Sequence, residues 1–300
     1  MKLRNASLIT REYMERGRSE SCPIIDLHGH WGPLSMGYLP AAPEEKMIRV
    51  LERAGVRVIV CSAHEALFGN PAQGNAQMQA AIERHPRRLA GYWSVNPNLD
   101  TSWQQAASDF EVARGFMGFK LLPDYHTYPL DGSRYQPALE FANTRRLLVL
   151  VHTWGGSPFN GPDRIATVAA RYPKAVFLMG HSCFGAWEQA VTLARDYPNV
   201  YLDITAVYVA HDFAVLPYGS GTPLPLASGL HVNGIIEYMV ARAGPDKIVF
   251  GTDLPWYSPY YAAGAVLFAH IDEQARRDIL YRNAERLLAD NTAGSDLCAP

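Results

Sequence analysis

Residues 147–152 read LLVLVH, five apolar residues in succession and then a histidine. A helix with one wet face would show apolar residues at every third or fourth place, and a half-exposed strand would alternate. An unbroken run this short fits a strand covered on both faces, the habit of parallel sheets. The same pattern, an apolar run ending in an ionisable residue, recurs along the chain. AVFLMGH ends at His181, KIVFGTD at Asp253, GFMGFK at Lys120 and PIIDLHGH at His28 and His30.

Working outward from these, eight strand-like runs can be counted, at 24–28, 56–62, 89–95, 116–122, 147–152, 175–181, 200–205 and 247–253. Stretches of helical period separate them. In PEEKMIRVLERAG, Met47, Ile48, Leu51 and Ala54 share one face, Pro43 opens the helix and Gly55 closes it. Further helices are predicted over 75–84, 103–113, 135–145, 162–172, 187–197, 232–243 and 272–288. Repeated strand–helix units require crossovers and a parallel sheet. Eight of them in 300 residues predict an α/β fold, a single-domain (β/α)8 TIM barrel over 22–300 with a short N-terminal extension over 1–21. Residues 206–230, rich in Gly and Pro and without period, read as a lid or rim loop.

Composition narrows the function classes. With 48% hydrophobic residues and 33 aromatics (11 Phe, 6 Trp, 16 Tyr) the chain can bury a large core. Lys+Arg 27 against Asp+Glu 29 leaves a net charge of −2 with no like-charged block, so neither nucleic acid nor an anionic membrane surface is an expected partner. No apolar stretch approaches the ~20 residues of a membrane span. The charged N-terminus lacks a secretory apolar core, which leads to the expectation of a cytoplasmic protein. The four cysteines form no CxxC pair and indicate neither a disulfide framework nor a thiolate zinc site.

Reacting groups of such a barrel gather at the C-terminal ends of its strands. Five of the ten histidines fall there: His28, His30, His64, His152 and His181, joined by Lys120 and Asp253. Buried charges need partners, and one cation would satisfy most of these groups together. In His28-Gly29-His30 the imidazoles, two residues apart on a strand, share a face, with Gly29 expected to leave room between them. Imidazole and carboxylate donors suit zinc, with manganese an alternative.

IDLHGHWGP, GFKLLPDYHTYPLDGSRYQPALEFA, LLVLVHTWGG, FLMGHSCFGAWEQAV, PNVYLDITA, KIVFGTDLPWYSP and ILYRNAERLL resemble, in order, the strand-end motifs of the amidohydrolase superfamily, in its amidohydrolase-related, ACMSD-like branch. The resemblance covers roughly residues 22–289. It implies a barrel whose His28, His30, His152 and Asp253 bind divalent metal. Lys120 followed by His152 and His181 matches the two-ion version, in which the lysine is carbamylated and bridges the ions. In the one-ion version the equivalent of His181 contacts substrate or metal-bound water. The chain departs from relatives at Leu122-Pro123, where His often precedes Pro, and in GHSCFG, where the turn is usually richer in glycine.

The expected activity is hydrolysis of an amide, ester or lactone in a small molecule, with Asp253 and His181 as catalytic groups. A metal-dependent decarboxylase is the alternative, which the opening HxH, rather than ExH, makes second. Trp31, Trp154, Phe184, Tyr208, Trp256 and Tyr257 follow strand ends and suggest a ring-bearing substrate. His64, Tyr125, His126 and Arg164 are candidate polar contacts, although His126 and His211 read more simply as loop residues. Cys183 reads as a packed thiol, with contact to a second ion the alternative. A serine hydrolase is set aside because Gly180, Ser182 and Gly185 miss the G-x-S-x-G spacing. A non-catalytic ligand-binding barrel would have no use for the full donor set. A homodimer is expected by resemblance alone.

Overall fold

The computed structural model describes residues 6–99, 103–207 and 234–291. Eight strands form one sheet in which sequence neighbours are spatial neighbours: β1 (Ile24–Trp31), β2 (Val56–Ala63), β3 (Leu89–Ser94), β4 (Phe116–Leu121), β5 (Leu148–Trp154), β6 (Val176–Phe184), β7 (Val200–Asp203) and β8 (Ile248–Val249). Every neighbouring pair is parallel. The seam is bridged by individual bonds. The Leu27 amide donates to Phe250 O at 2.9 Å, the Asp253 amide to His28 O at 2.8 Å and the His30 amide to Leu254 O at 2.7 Å. The architecture is the single (β/α)8 TIM barrel that the run-counting predicts.

The predicted helix beginning at Pro43 spans Glu44–Ala54 and ends on Gly55 at φ 71°, a left-handed conformation that suits glycine. The predicted helix over 272–288 is divided by a π turn, Asp278–Arg282, before Asn283–Ala289. Inside the ring, Ile25, Leu27, Val58, Tyr92, Leu150 and Leu178 cluster with Ala284, Leu287 and Leu288 of this last segment, which stoppers the barrel below its floor. Buried Asn283 locks the stopper by donating from Nδ2 to Pro245 O at 2.7 Å and Ile248 O at 2.8 Å.

The leading segment contains a helix that the sequence reading left unassigned, Leu8–Arg16. Ser7 caps it by accepting from the Thr10 amide, and Gly17 ends it at φ 74°. Ile9 is buried, Thr10 Oγ1 donates to Leu267 O and Tyr13 Oη to Ala54 O, so the helix is fastened to the barrel's helical layer. Of the 206–230 insertion, residues from 208 onward, including Tyr208 and His211, lie outside the described residues. Among the described residues no helix is long and apolar enough to cross a membrane.

Candidate metal centre

Strand parity delivers the first donors. Ile25 and Leu27 belong to the inner core, whereas a Cβ on Gly29 would lie 2.4 Å from Ile59 Cδ1 and 2.9 Å from Cys61 Sγ of the outer packing. Between them the β1–β2 register shifts, so Leu27 and His28 face inward in succession, and His30 after them. Gly29 therefore does not clear room between the imidazoles, as expected from sequence; it permits close packing of β1 on β2 behind them. The same parity sends Trp31 outward, where it is buried beside His85 at 6.5 Å between ring centroids, away from the site.

His28 Nε2 and His30 Nε2 converge on one carboxylate oxygen, Asp253 Oδ1, at 3.3 and 2.9 Å. Asp253 reaches them from a left-handed residue at φ 64° just past β8. His181, Ser182 and Cys183 likewise stand at φ 67°, 48° and 49°. Left-handed backbone costs roughly 1–2 kcal/mol per non-glycine residue, and here the surroundings hold it: Ser182 Oγ donates to Asp203 O at 2.8 Å and the Cys183 amide to Thr153 Oγ1 at 2.8 Å. The turn that lacks the relatives' glycines thus still bends as a glycine turn would. Gly251 allows the chain end of β8 to pass the site, since a Cβ there would sit 2.1 Å from Thr205 Oγ1 and 2.9 Å from His28 Cβ.

Tautomers follow from the outer partners. Asp203 Oδ2 lies 2.5 Å from His28 Nδ1, so Nδ1–H donates outward and the Nε2 lone pair faces the site. His181 Nδ1 faces Thr205 O at 3.2 Å, which leaves its Nε2 as the lone-pair nitrogen, 3.1 Å from His152 Nδ1. Lys120 Nζ donates to His28 Nε2 at 2.8 Å. Burial holds His28, His30, His152 and His181 below the ordinary imidazole range and brings the Lys120 amine down to about 8. For Asp253, burial would raise the carboxyl, but His28, His30 and His181 outweigh it and keep the group ionised.

The candidates His28, His30, Lys120, His152, His181 and Asp253 are thus brought together at one rim. Around them, His64 stacks on His30 at 5.1 Å and accepts from Trp256 Nε1 at 3.1 Å, while its Nδ1 donates to Gly32 O. Tyr125 stands edge-on to His152 at 5.2 Å, and Trp154 lies parallel to His152 at 5.5 Å and to Phe184 at 4.6 Å. Other candidates fall elsewhere. His126 is a satisfied core histidine, with Nδ1 3.0 Å from Tyr135 Oη, and Arg164 pairs with Asp131 at 2.7 Å. The Cys183 thiol, pushed up to about 12 by burial, is packed in the outer core 3.8 Å from Met179 Sδ.

Two carboxylates were missed. Asp203 ends β7 in VYLDIT, and the rule that singled out Asp253 would have found it. Burial raises it to about 6 against hydrogen bonds from Thr205. Asp124, in the turn after β4, accepts from Asn160 Nδ2 at 2.7 Å and stands 3.9 Å from His152 Nε2; no local pattern marks it, because its partners come from another loop.

The donor set fits a divalent cation. Ligand atoms of His28, His181 and Asp253 all lie within 4.8 Å of one another, and His30 Nε2 stands 2.9 Å from the same Asp253 oxygen, a spread compatible with bonds of ~2.0–2.2 Å from nitrogen and carboxylate oxygen to one ion. Several solved structures share the fold. An uncharacterized TIM-barrel protein from Bordetella bronchiseptica is 20% identical with a TM-score of 0.66, over 91% of this chain and 99% of its own. A putative 2-pyrone-4,6-dicarboxylic acid hydrolase from Pseudomonas putida is 18% identical with a TM-score of 0.66, over 90% and 98%. A dihydroxybenzoic acid decarboxylase from Polaromonas, with bound manganese, is 14% identical with a TM-score of 0.63, over 89% and 96%. No curated protein sequence matches the chain. The amidohydrolase family model matches residues 25–289, the span that carries the barrel strands from the second residue of β1 onward and every donor of the cluster, and the chain belongs to that family.

Proposed function

We propose that this protein is a metal-dependent hydrolase that cleaves an amide, ester or lactone bond in a small, ring-bearing molecule. His28, His30 and Asp253 would hold a divalent cation, zinc or manganese, with His152 and His181 beside it and Lys120 available to bridge a second ion as a carbamate. A cation bound there supplies Lewis acidity and lowers the pKa of coordinated water toward ~7.

The chain's own groups do the rest. Asp253 Oδ1, ionised between His28 and His30, is placed to take a proton from attacking water and return it to the leaving group. His181, neutral and with its Nδ1–H directed to Thr205 O, turns its Nε2 lone pair to the site and can accept a proton from water or substrate. Tyr125, Trp154 and Trp256 are 56%, 36% and 42% exposed at the mouth and give a planar ring apolar walls.

The observation that carries the reading is the shared Asp253 oxygen, which supplies a proton acceptor at the centre of a site whose imidazoles are all held neutral. Decarboxylation needs the opposite, a proton donor to a carbanion, although the likeness to a manganese-containing dihydroxybenzoic acid decarboxylase keeps it as the second reading. The test is a panel of aryl lactones, esters and amides set beside hydroxybenzoates, with metal-loaded enzyme. Chelator-sensitive hydrolysis supports the proposal; carbon dioxide release without hydrolysis overturns it in favour of the lyase.

A further inference from the structure

The metal centre lies on the face of the barrel where the strands end. The whole chain holds 27 Lys and Arg, yet the stretches that lead away from the strand ends on this face, 32–43, 64–70, 95–102, 122–135, 155–161, 185–186, 204–234 and 250–258, contain one, Arg134. That side chain is engaged: its Nη1 donates to Asn98 Oδ1 at 3.1 Å, and its guanidinium lies 5.0 Å from the centre of the Tyr128 ring. Arg164, in the first turn of the helix after β5, is taken up by Asp131. The remaining basic group of the site, Lys120, is 1% exposed on the floor and donates to His28. Among the described residues these stretches thus offer no unpaired Lys or Arg to a substrate carboxylate.

They offer a carboxylate instead. Asp124 Oδ2 stands 3.9 Å from His152 Nε2, and among the described residues no Lys or Arg pairs with it. Its side chain, 26% exposed, is fixed by two donors, Ser157 Oγ to Oδ1 and Asn160 Nδ2 to Oδ2 at 2.7 Å. Buried Asn160 is itself held to β5, donating to His152 O at 2.6 Å and accepting from the Trp154 amide at 3.0 Å. A carboxylate has about four acceptor positions, so about two remain for a ligand. Tyr125 and Trp154, both partly exposed, adjoin His152 at 5.2 and 5.5 Å between ring centroids. A fixed negative charge beside aromatic rings suits a cationic nitrogen, which the ring faces attract as well.

We propose that the substrate carries a cationic nitrogen at its non-reacting end, held by Asp124 beside Tyr125 and Trp154, while its ester, amide or lactone carbonyl is turned toward the metal centre. Charge then runs from a positive floor to a negative mouth, and a substrate of matching polarity is both steered in and oriented. An anionic group at the outer end would meet Asp124 with no cation to compensate it. The inference rests on the reading of the metal centre as the reacting site and names the class of substrate that site takes.

The experiment measures binding alone, by calorimetry on zinc-loaded protein at neutral pH, which separates it from the turnover panel that tests hydrolysis. Three probes share one aromatic ring: benzyltrimethylammonium, which cannot coordinate zinc, benzyl alcohol and benzoate. Wild type should bind the ammonium at least ~tenfold more tightly than benzyl alcohol, and ~0.5 M sodium chloride should weaken the ammonium at least ~threefold with benzyl alcohol unchanged. Asp124→Asn should weaken the ammonium at least ~tenfold, benzyl alcohol less than ~twofold and benzoate not at all. Tyr125→Leu, at the exposed mouth, should weaken the ammonium at least ~threefold. If Asp124→Asn loses its fold or its zinc, Tyr125→Leu and the salt dependence of wild type decide in its place. A hydrolysis panel without turnover, with the ammonium preference intact, would remove the hydrolase reading and leave the charge assignment standing. A purely structural role for Asp124 would weaken all three probes together. That result, or a wild type that binds the ammonium no better than benzyl alcohol, overturns the proposal.

Discussion

Asp203 Oδ2 stands 2.5 Å from Nδ1 of His28, with both side chains 1% exposed. The contact settles which nitrogen of His28 carries the proton and turns the other toward Asp253 and Lys120. Outer carboxylates of this kind typically change metal affinity ~10–100-fold when removed. Asp203→Asn should weaken zinc binding by that range while the barrel still folds, measured by competition with a chromogenic chelator. Unchanged affinity would show that His28 needs no such partner.

Asp253→Asn keeps the shape of the carboxyl and removes its charge. Hydrolysis should fall by at least ~100-fold, the scale of a lost general base, with the circular dichroism spectrum unchanged. Near-normal kcat would remove Asp253 from the chemistry.

Acid should destabilise the metal-free protein. Burial holds His28, His30, His126, His152 and His181 below the ordinary imidazole value of 6.5, so the unfolded chain binds more protons in the window beneath it. The stability these histidines contribute is therefore complete above pH 6.5 and lost as pH falls through the folded values. Each such histidine adds up to about 1.4 kcal/mol per pH unit to the slope. His126→Gln, away from the metal centre, should lower the slope by up to that amount in urea titrations between pH 4 and 6.5; an unaltered slope would contradict it.

The helix Gln136–Arg145 ends on Arg146 at φ 57°, where glycine is the usual residue. Arg146→Gly should stabilise the protein by about 0.5–1 kcal/mol net of unfolded-state entropy. Asn283→Ala should do the reverse, since two buried carbonyls lose their donor at about 1 kcal/mol each. Thermal unfolding checks both, and metal content should be unchanged in both because neither residue touches the centre.

The order of strands and the inward donors were legible because both depend on local pattern. An apolar run names its strand, and the residue at its end, His152 or Asp253, takes its place from barrel geometry. What escaped depends on register. The shift in β1 that turns Gly29 and Trp31 outward has no local mark. β8 is confined to Ile248–Val249, although the apolar run continues, because the chain after it swings into the left-handed Asp253. Asp203 was within reach of the same positional rule. Asp124 was not, since its meaning comes from Asn160, which is distant in sequence. The helix Leu8–Arg16 lacks a strong apolar stripe, and packing of Ile9 and Tyr13 on the barrel holds it in place of periodicity.

The most direct measurement is anomalous diffraction at the zinc or manganese edge from crystals of metal-loaded protein. The expected result is a peak at the barrel rim, bonded at ~2.0–2.2 Å to His28, His30 and Asp253. Fully loaded protein whose only anomalous peaks lie away from these side chains would contradict the account.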